Sequence, residues 1–73
     1  MDYLEQVGNG LKKLRNMRGL TQLEASALAN ITPVSLARIE CGKQNVKRKT
    51  LKRICAVYGY EPKITIEFVP TGE

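Results

Sequence analysis

Two helix starts separated by a turn residue, near the middle of the chain, constrain the fold more than any other feature. Thr21 followed three residues later by Glu24 matches a capping box, in which each side chain bonds the backbone N–H of the other residue. Thr32 before Pro33 predicts the second start, because proline at the first helical position loses no hydrogen bond. Asn30 between them tolerates a left-handed backbone. Two short helices and a sharp turn in this spacing form a helix-turn-helix.

Apolar residues at helical spacing predict one helix before this segment and one after it. The first has its apolar positions at Leu4, Val7, Leu11 and Leu14, and the last at Leu51, Ile54, Cys55 and Tyr58. Asp2 and Glu5 are candidates to cap the first helix, but Gly8 and Gly10 weaken it by about 1 kcal/mol each relative to alanine. This helix therefore begins properly only near Gly10, or its glycines allow another helix to pack closely.

The two central helices divide into inner and outer faces. In the first, small residues at Ala25, Ser26 and Ala29 allow close crossing. Leu23 and Leu28 lie off that stripe; we assign Leu23 to the core and leave Leu28 open between the core and a contact with a second protein. In the second helix, Leu36 and Ile39 point inward, which leaves an outer face of Val34, Ala37, Arg38 and Cys41.

Positive charge is concentrated between Arg38 and Arg53. Seven Lys and Arg residues against one acid give this segment +6, whereas the whole chain carries +5. Lys47, Arg48 and Lys49 crowd the N-terminus of the last predicted helix, where the helix dipole disfavours cations. A phosphate bound there by the lysines and the free N–H groups would explain the placement; a solvated basic loop is the alternative. We favour phosphate, and hence a nucleic acid.

Composition argues against several other classes of protein. A chain of 73 residues forms one small domain. Without histidine, and with only Cys41 and Cys55, neither a zinc site nor a disulfide framework is expected, and no other cofactor is implied. The sequence has neither paired carboxylates in a plausible cleft nor a glycine-rich phosphate loop, so we do not expect an enzyme. Free thiols and the lack of a signal segment or a 20-residue apolar run favour the cytoplasm over a membrane.

The C-terminal tail changes period. Residues 63–69 alternate, with Ile64, Ile66 and Phe68 on one side, which predicts a strand after an all-helical body. A lone strand leaves its N–H and C=O groups unpaired. Antiparallel pairing with the same strand of a second copy would satisfy them; the alternative is packing on the chain's own helices, with the backbone left to water. We therefore divide the chain into a DNA-binding domain, residues 1–62, and a dimerisation tail, residues 63–73.

The sequence resembles a known family over residues 10–59. The segments LKKLRNMRGLTQ, ANIT, SLARIECGK, TLKRI and YG are similar to the Cro/phage-repressor-like, or XRE-type, helix-turn-helix domains. The tail segment ITIEF resembles the C-terminal strand of HipB-type antitoxins. The resemblance implies a mainly α, four-helix, lambda-repressor-like domain with a C-terminal β-strand paired across a dimer.

The resemblance also implies roles for individual residues. Base edges would be contacted by Pro33, Val34, Ala37 and Arg38. Phosphates would be contacted by Gln22, Thr32, Ser35, Lys43, Asn45, Lys47, Arg48 and Lys49. Gln22 would also brace the reading helix, and Arg15 and Glu40 would form a buried ion pair. The reading face is poor in donors, because Arg38 alone can bond guanine with two N–H groups, at about 1–3 kcal/mol of discrimination.

Three functions fit these features. The first is a dimeric, sequence-specific DNA-binding transcriptional regulator, with a repressor preferred. The second is an antitoxin that binds DNA in the same way, holds a toxin protein on another surface and represses its own operon. The third is a protein-interaction module that has lost DNA binding, which the apolar reading face suggests.

Overall fold

The structure, a computed structural model, describes residues 2–63 and 67–72. Within these residues the chain forms four helices: α1 (Tyr3–Met17), α2 (Gln22–Ala29), α3 (Pro33–Glu40) and α4 (Arg48–Val57). The mainly α, four-helix fold predicted from the sequence is therefore confirmed. Helix α1 packs on α3, and α2 packs on both α3 and α4.

The capping residues around the central turn adopt the predicted geometry. Thr21 Oγ1 accepts from the N–H of Glu24 at 3.1 Å, and the Glu24 carboxylate accepts from the N–H of Thr21 at 2.9 Å. The hydrogen bond from the backbone of Thr21 is the main reason that the pKa of Glu24 lies below its usual value, and the side chain of Thr21 contributes as well. Thr32 Oγ1 accepts from the N–H of Ser35 at 3.1 Å, and Asn30 between the helices has φ 58°. The turn is thus fixed by local hydrogen bonds on both sides.

Helix α1 begins at Tyr3, well before Gly10. Asp2 caps it, because Oδ1 of Asp2 accepts from the N–H of Glu5 at 2.8 Å. Of the two alternatives drawn from Gly8 and Gly10, the helix that starts only near Gly10 is wrong. Fifteen residues with a side-chain cap and an apolar face against α3 outweigh the propensity cost of two glycines.

The core forms where the four helices meet. Its buried apolar residues are Leu11, Ala25, Ala29, Leu36, Ile39, Leu51, Ile54, Cys55 and Tyr58. The assignment of Leu23 to the core is wrong, because 67 % of its surface is exposed; Leu28 is 66 % exposed. Helix α2 instead turns Ala25 and Ala29, four residues apart, toward its neighbours.

The predicted tail strand lies partly outside the described residues, since Ile64 and Ile66 are not among them. Of the remainder of 63–69, neither Lys63 nor residues 67–69 form a strand, and Phe68 is 95 % exposed. Strand pairing, and the division at residue 62, stay predictions. None of the described helices has the length and apolar character needed to cross a bilayer.

Candidate nucleic-acid interface

Helix α3 has one face in the core and the other in solvent. Leu36 and Ile39 are buried against the neighbouring helices. The four residues expected to contact bases lie away from them: Pro33, Val34 and Arg38 are exposed, and Ala37 is half-buried. The exposed fraction of Val34 is 68 %. Positions three and four apart share a helix face, so these side chains form one continuous strip.

A buried network holds the C-terminal end of α3. Nε of Arg15 donates to Glu40 at 2.7 Å and Nη2 donates at 3.0 Å, while Nη1 donates to the carbonyl of Leu20 at 2.7 Å. The hydrogen bond to Glu40 raises the pKa of Arg15. Gln22 Nε2 donates to the same carboxylate at 3.0 Å. Glu40 therefore links α3 to α1 through Arg15, and to α2 through Gln22, the first residue of that helix.

Backbone contact between α1 and α3 strengthens this link. At Gly8, a Cβ atom would collide with the carbonyl oxygens of Ile39 and Glu40, the second at 2.7 Å. Gly42 follows the end of α3 with φ +72°, a backbone conformation that favours glycine. A Cβ atom at Gly42 would also collide with Glu5 of α1. The sequence offered close packing at Gly8 as one alternative, but it did not identify the end of α3 as the contact.

The loop between α3 and α4 forms one side of a shallow cleft with a volume of about 240 Å³. Its lining brings together Ser35 at the start of α3 with Asn45 and Lys47 from the loop. Gln44 and Thr50 also line it. The sequence reasoning missed these two residues, although polar side chains on either side of a basic loop are a usable signal.

The other residues expected to contact phosphate differ in position. Thr32, Lys43, Arg48 and Lys49 are exposed but do not line the cleft. Gln22 is half-buried at the start of α2, and its amide is bonded to Glu40. The structure thus gathers part of the predicted set in one cleft and leaves the rest outside its lining.

The N-terminus of α4 differs from those of the other helices. Asp2, Thr21 and Thr32 each cap a helix through a side-chain oxygen. Lys47 occupies the corresponding position of α4, and within the described residues it provides no side-chain cap. The first N–H groups of α4 therefore lack a side-chain acceptor beside three exposed cations. Such a helix end suits an anion.

Tyr58 and the two cysteines lie outside the predicted DNA surface or at its margin. Tyr58 is fully buried, and burial raises its pKa to about 12, with a further contribution from the charge of Glu40. Its hydroxyl has no hydrogen-bond partner among the described residues. Cys55 is buried, which raises its pKa, whereas Cys41 is exposed at the end of α3. In the described part of the chain, no cluster of three metal-ligating side chains is present.

Comparison with protein families gives one clear match. The family described as HTH_3, helix-turn-helix, matches residues 11–64. This segment includes all of α2, α3 and α4 and part of α1. It therefore contains the exposed face of α3, the cleft beside it and the uncapped start of α4.

Two similar solved structures are of regulators. The clp gene regulator ClgR of Corynebacterium glutamicum superimposes with a TM-score of 0.78 and 26 % identity, over 80 % of this chain and 62 % of that one. A transcriptional regulator of Vibrio cholerae, described as of the HTH_3 family, gives a TM-score of 0.74 and 30 % identity, over 78 % and 32 %. In each case the chain corresponds to only part of the neighbour.

A curated relative is an enzyme. The chain is 32 % identical over 56 residues to the isomerizing glutamine–fructose-6-phosphate aminotransferase of Methanocaldococcus jannaschii. The match covers 75 % of this chain but 5 % of that protein. Because the match covers so little of the enzyme, it does not indicate that this chain has the activity of that enzyme.

Proposed function

Because the chain belongs to the HTH_3 helix-turn-helix family through residues 11–64, we propose that it is a dimeric, sequence-specific DNA-binding protein that represses transcription. Helix α3 enters the major groove of double-stranded DNA, which has the width to admit a helix. The observation that carries this proposal is the solvent-facing strip of α3 beside exposed cations. A repressor needs no additional surface for contacting other proteins, because a protein bound across a promoter blocks other proteins from the same DNA.

Paired hydrogen bonding to a base depends, in this proposal, on one side chain. Arg38 supplies the strip's only guanidinium and bonds two acceptors of a guanine. Pro33, Val34 and Ala37 offer apolar contact, which suits the methyl group of thymine. So few donors make phosphate contacts and the shape of the DNA important contributors to binding.

Phosphate contacts are proposed on both sides of the reading helix. Lys43, Asn45, Lys47, Arg48 and Lys49 supply most of them, together with Gln22, Thr32 and Ser35. The free N–H groups at the start of α4 add hydrogen bonds to the same strand of DNA. Each neutralised phosphate releases counterions, so affinity should fall steeply with salt.

Dimerisation is proposed through the tail. Residues 63–69 of two copies pair antiparallel about a two-fold axis, with Ile64, Ile66 and Phe68 on the shared side. A two-fold pair presents two copies of α3 to adjacent major grooves. We therefore expect an inverted repeat whose half-sites are about 34 Å apart, or a multiple of that distance.

Selection of bound sites from random DNA tests the proposal. We expect an enriched inverted repeat, with a guanine whose enrichment disappears when Arg38→Ala is used in the same selection. Binding to the selected site should weaken as salt increases. A selection that enriches no sequence would contradict specific binding, and an enriched site without two-fold symmetry would contradict the dimer.

A second candidate function is that of an antitoxin, which the exposure of Leu28 favours. Leu28 lies with Ala56 and Val57 in a cleft between α2 and α4, which Arg53 also lines. A toxin protein would cover this cleft while α3 stays on DNA. The test is direct binding of the purified chain to the product of the adjacent gene. Leu28→Glu should abolish that binding and preserve DNA binding; no complex with the unmodified chain would remove this candidate.

A further inference from the structure

An apolar groove runs along the side of α1 that does not pack on α3. It has a volume of about 700 Å³ and is lined by Tyr3, Val7, Leu14 and Met17 of α1, with Leu51 and Pro62. The α1 positions are spaced so that they form one stripe along the helix. The contact with α3 uses a different stripe, which includes Gly8 and Arg15. The groove is thus distinct from the buried network and from the proposed DNA surface.

Exposure shows that this stripe is incompletely covered. The exposed fractions are 60 % for Tyr3 and 64 % for Met17, which are large apolar side chains at the two ends of α1. Lys13 and Lys63 also line the groove and give it positive charge. A ligand that fits would combine apolar side chains with a nearby carboxylate.

The tail of the chain has this chemistry and leaves the body at the edge of the groove. Pro62 and Lys63 line the groove. A few residues later, Phe68 is 95 % exposed and Val69 is 79 % exposed, and the adjacent residue is Glu67. Two large apolar side chains in succession are therefore without cover in a single chain.

We propose that this groove binds Phe68 of a second copy of the chain. The inference rests on the dimer put forward above and adds the surface on which each tail docks. Glu67 of one copy then lies near Lys13 or Lys63 of the other, and the apolar stripe of α1 is covered. The two docking events are equivalent by symmetry, so the pair closes without leaving a free tail.

The chain's own tail is a poor occupant of its own groove. The five residue steps from Lys63 to Phe68 span about 17 Å when extended. The intervening sequence ITIE has none of the residues that favour tight turns. Its β-branched residues favour an extended backbone. Phe68, which is 95 % exposed, does not line the groove of its own chain.

A two-fold pairing of the tails delivers them to the other copy. In an antiparallel pair centred on residue 66, residue 69 of one copy lies opposite residue 63 of the other. The C-terminal end of one tail thus lies at the edge of the second groove, with Phe68 on the face of the strand that it shares with Ile64 and Ile66. This register gives each groove the Phe68 side chain of the other copy.

Site-directed cross-linking between two distinguishable chains tests the proposal. Both chains carry Cys41→Ser to remove the exposed thiol. One carries Met17→Cys, the other carries Phe68→Cys, and they differ in mass through an affinity tag. After mixing and mild oxidation, we expect a covalent dimer that contains one chain of each kind. The matched control replaces Met17→Cys by Leu23→Cys, an equally exposed apolar position on α2, and should give little of that product.

Two results of the cross-linking would overturn the proposal. A mixed dimer no more abundant than with Leu23→Cys would show that the groove is not where Phe68 docks. A chain that carries both Met17→Cys and Phe68→Cys could instead form an internal disulfide at high dilution, as mass spectrometry would show. That outcome would place the chain's own tail in the groove.

Sedimentation separates this inference from the dimer itself. We expect Met17→Glu and Phe68→Ala each to raise the dimer dissociation constant about tenfold or more, which corresponds to about 1.4 kcal/mol. Leu23→Glu should leave it unchanged. If the unmodified chain is a monomer at every concentration tested, the proposed dimer fails. If it is a dimer that neither variant weakens, only the docking surface fails.

Discussion

Arg15 and Glu40, residues 25 positions apart in the chain, meet through two hydrogen bonds of 2.7 and 3.0 Å. Both side chains are almost completely removed from solvent. Glu40 is the last residue of α3, so the pair fixes the end of the helix that we propose reads DNA. Loss of either partner would leave a buried charge without compensation, which costs far more than the pair contributes.

Removal of Glu40 should therefore destabilise the fold. We expect Glu40→Ala to lower the free energy of unfolding by about 3–5 kcal/mol, because Arg15 stays buried without its partner. Urea denaturation followed by circular dichroism measures the change. Glu61→Ala, which removes an exposed acid, should stay within about 0.5 kcal/mol of the unmodified protein. A decrease below about 1 kcal/mol for Glu40→Ala would mean that water reaches Arg15.

Arg38→Ala should lower specificity rather than stability. Arg38 is exposed on α3 and is the strip's only donor of paired hydrogen bonds. We expect affinity for the selected site to fall by about 1–3 kcal/mol while affinity for random DNA changes much less. Fluorescence anisotropy with both DNAs measures the difference. Equal decreases on the two DNAs would remove Arg38 from base recognition.

Lys47→Ala and Arg48→Ala should weaken binding to all DNA alike. Each substitution should reduce the slope of log affinity against log salt by about one unit, because one fewer counterion is released. Arg53→Ala is the matched control: it removes the same charge from α4, but Arg53 lies in the cleft with Leu28 and Val57. If the salt dependence of affinity is as steep in the Lys47 and Arg48 variants as in the control, these two residues do not contact phosphate.

The two glycines of α1 should respond in opposite ways to alanine. Gly8→Ala introduces a Cβ against the carbonyls of Ile39 and Glu40, and overpacking of this kind costs about 1–3 kcal/mol. At Gly10 the same atom meets nothing within 4 Å, so Gly10→Ala should stabilise the helix by about 0.5–1 kcal/mol. Thermal denaturation of the two variants provides the comparison. Equal effects at both positions would contradict the close approach of α1 and α3.

The free energy of unfolding should decrease at alkaline pH because Tyr58 is buried. Its pKa rises from 10.0 to about 12 in the folded chain, so the unfolded chain loses this proton first. The contribution of the neutral phenol is complete below pH 10 and is lost as the pH rises toward 12. The free energy of unfolding should therefore decline more over this interval in the unmodified protein than in Tyr58→Phe. Parallel declines in the two proteins would show that the phenol ionises freely in the folded state.

Local signals in the sequence were sufficient for the helix-turn-helix. Thr21 with Glu24, and Thr32 before Pro33, act through bonds to residues three positions away, so their geometry depends little on the rest of the fold. The inner face of α4 was also predictable, because ten residues provide enough turns for a clear apolar period. The ion pair of Arg15 with Glu40 came instead from the family resemblance, since the contact joins distant residues.

Two features were beyond the sequence for physical reasons. Helix α2 has eight residues, too few for the apolar period to show that Leu23 faces solvent, although the small residues Ala25 and Ala29 were expected at the helix crossing. The packing of α1 on the last carbonyls of α3 depends on the space left by the missing side chain of Gly8. Neither the hydrophobicity nor the helix propensity of the residues predicts which surface packs into that space.

The uncapped start of α4 has a consequence for how the free protein behaves. The first turn of this helix has a lysine where the other helices have an oxygen acceptor, so its amide hydrogens should exchange rapidly with solvent water. A nucleic-acid phosphate would complete that turn and slow the exchange. Part of the energy of association would then be used to finish the fold, and the bound DNA would act as a missing structural component of the protein.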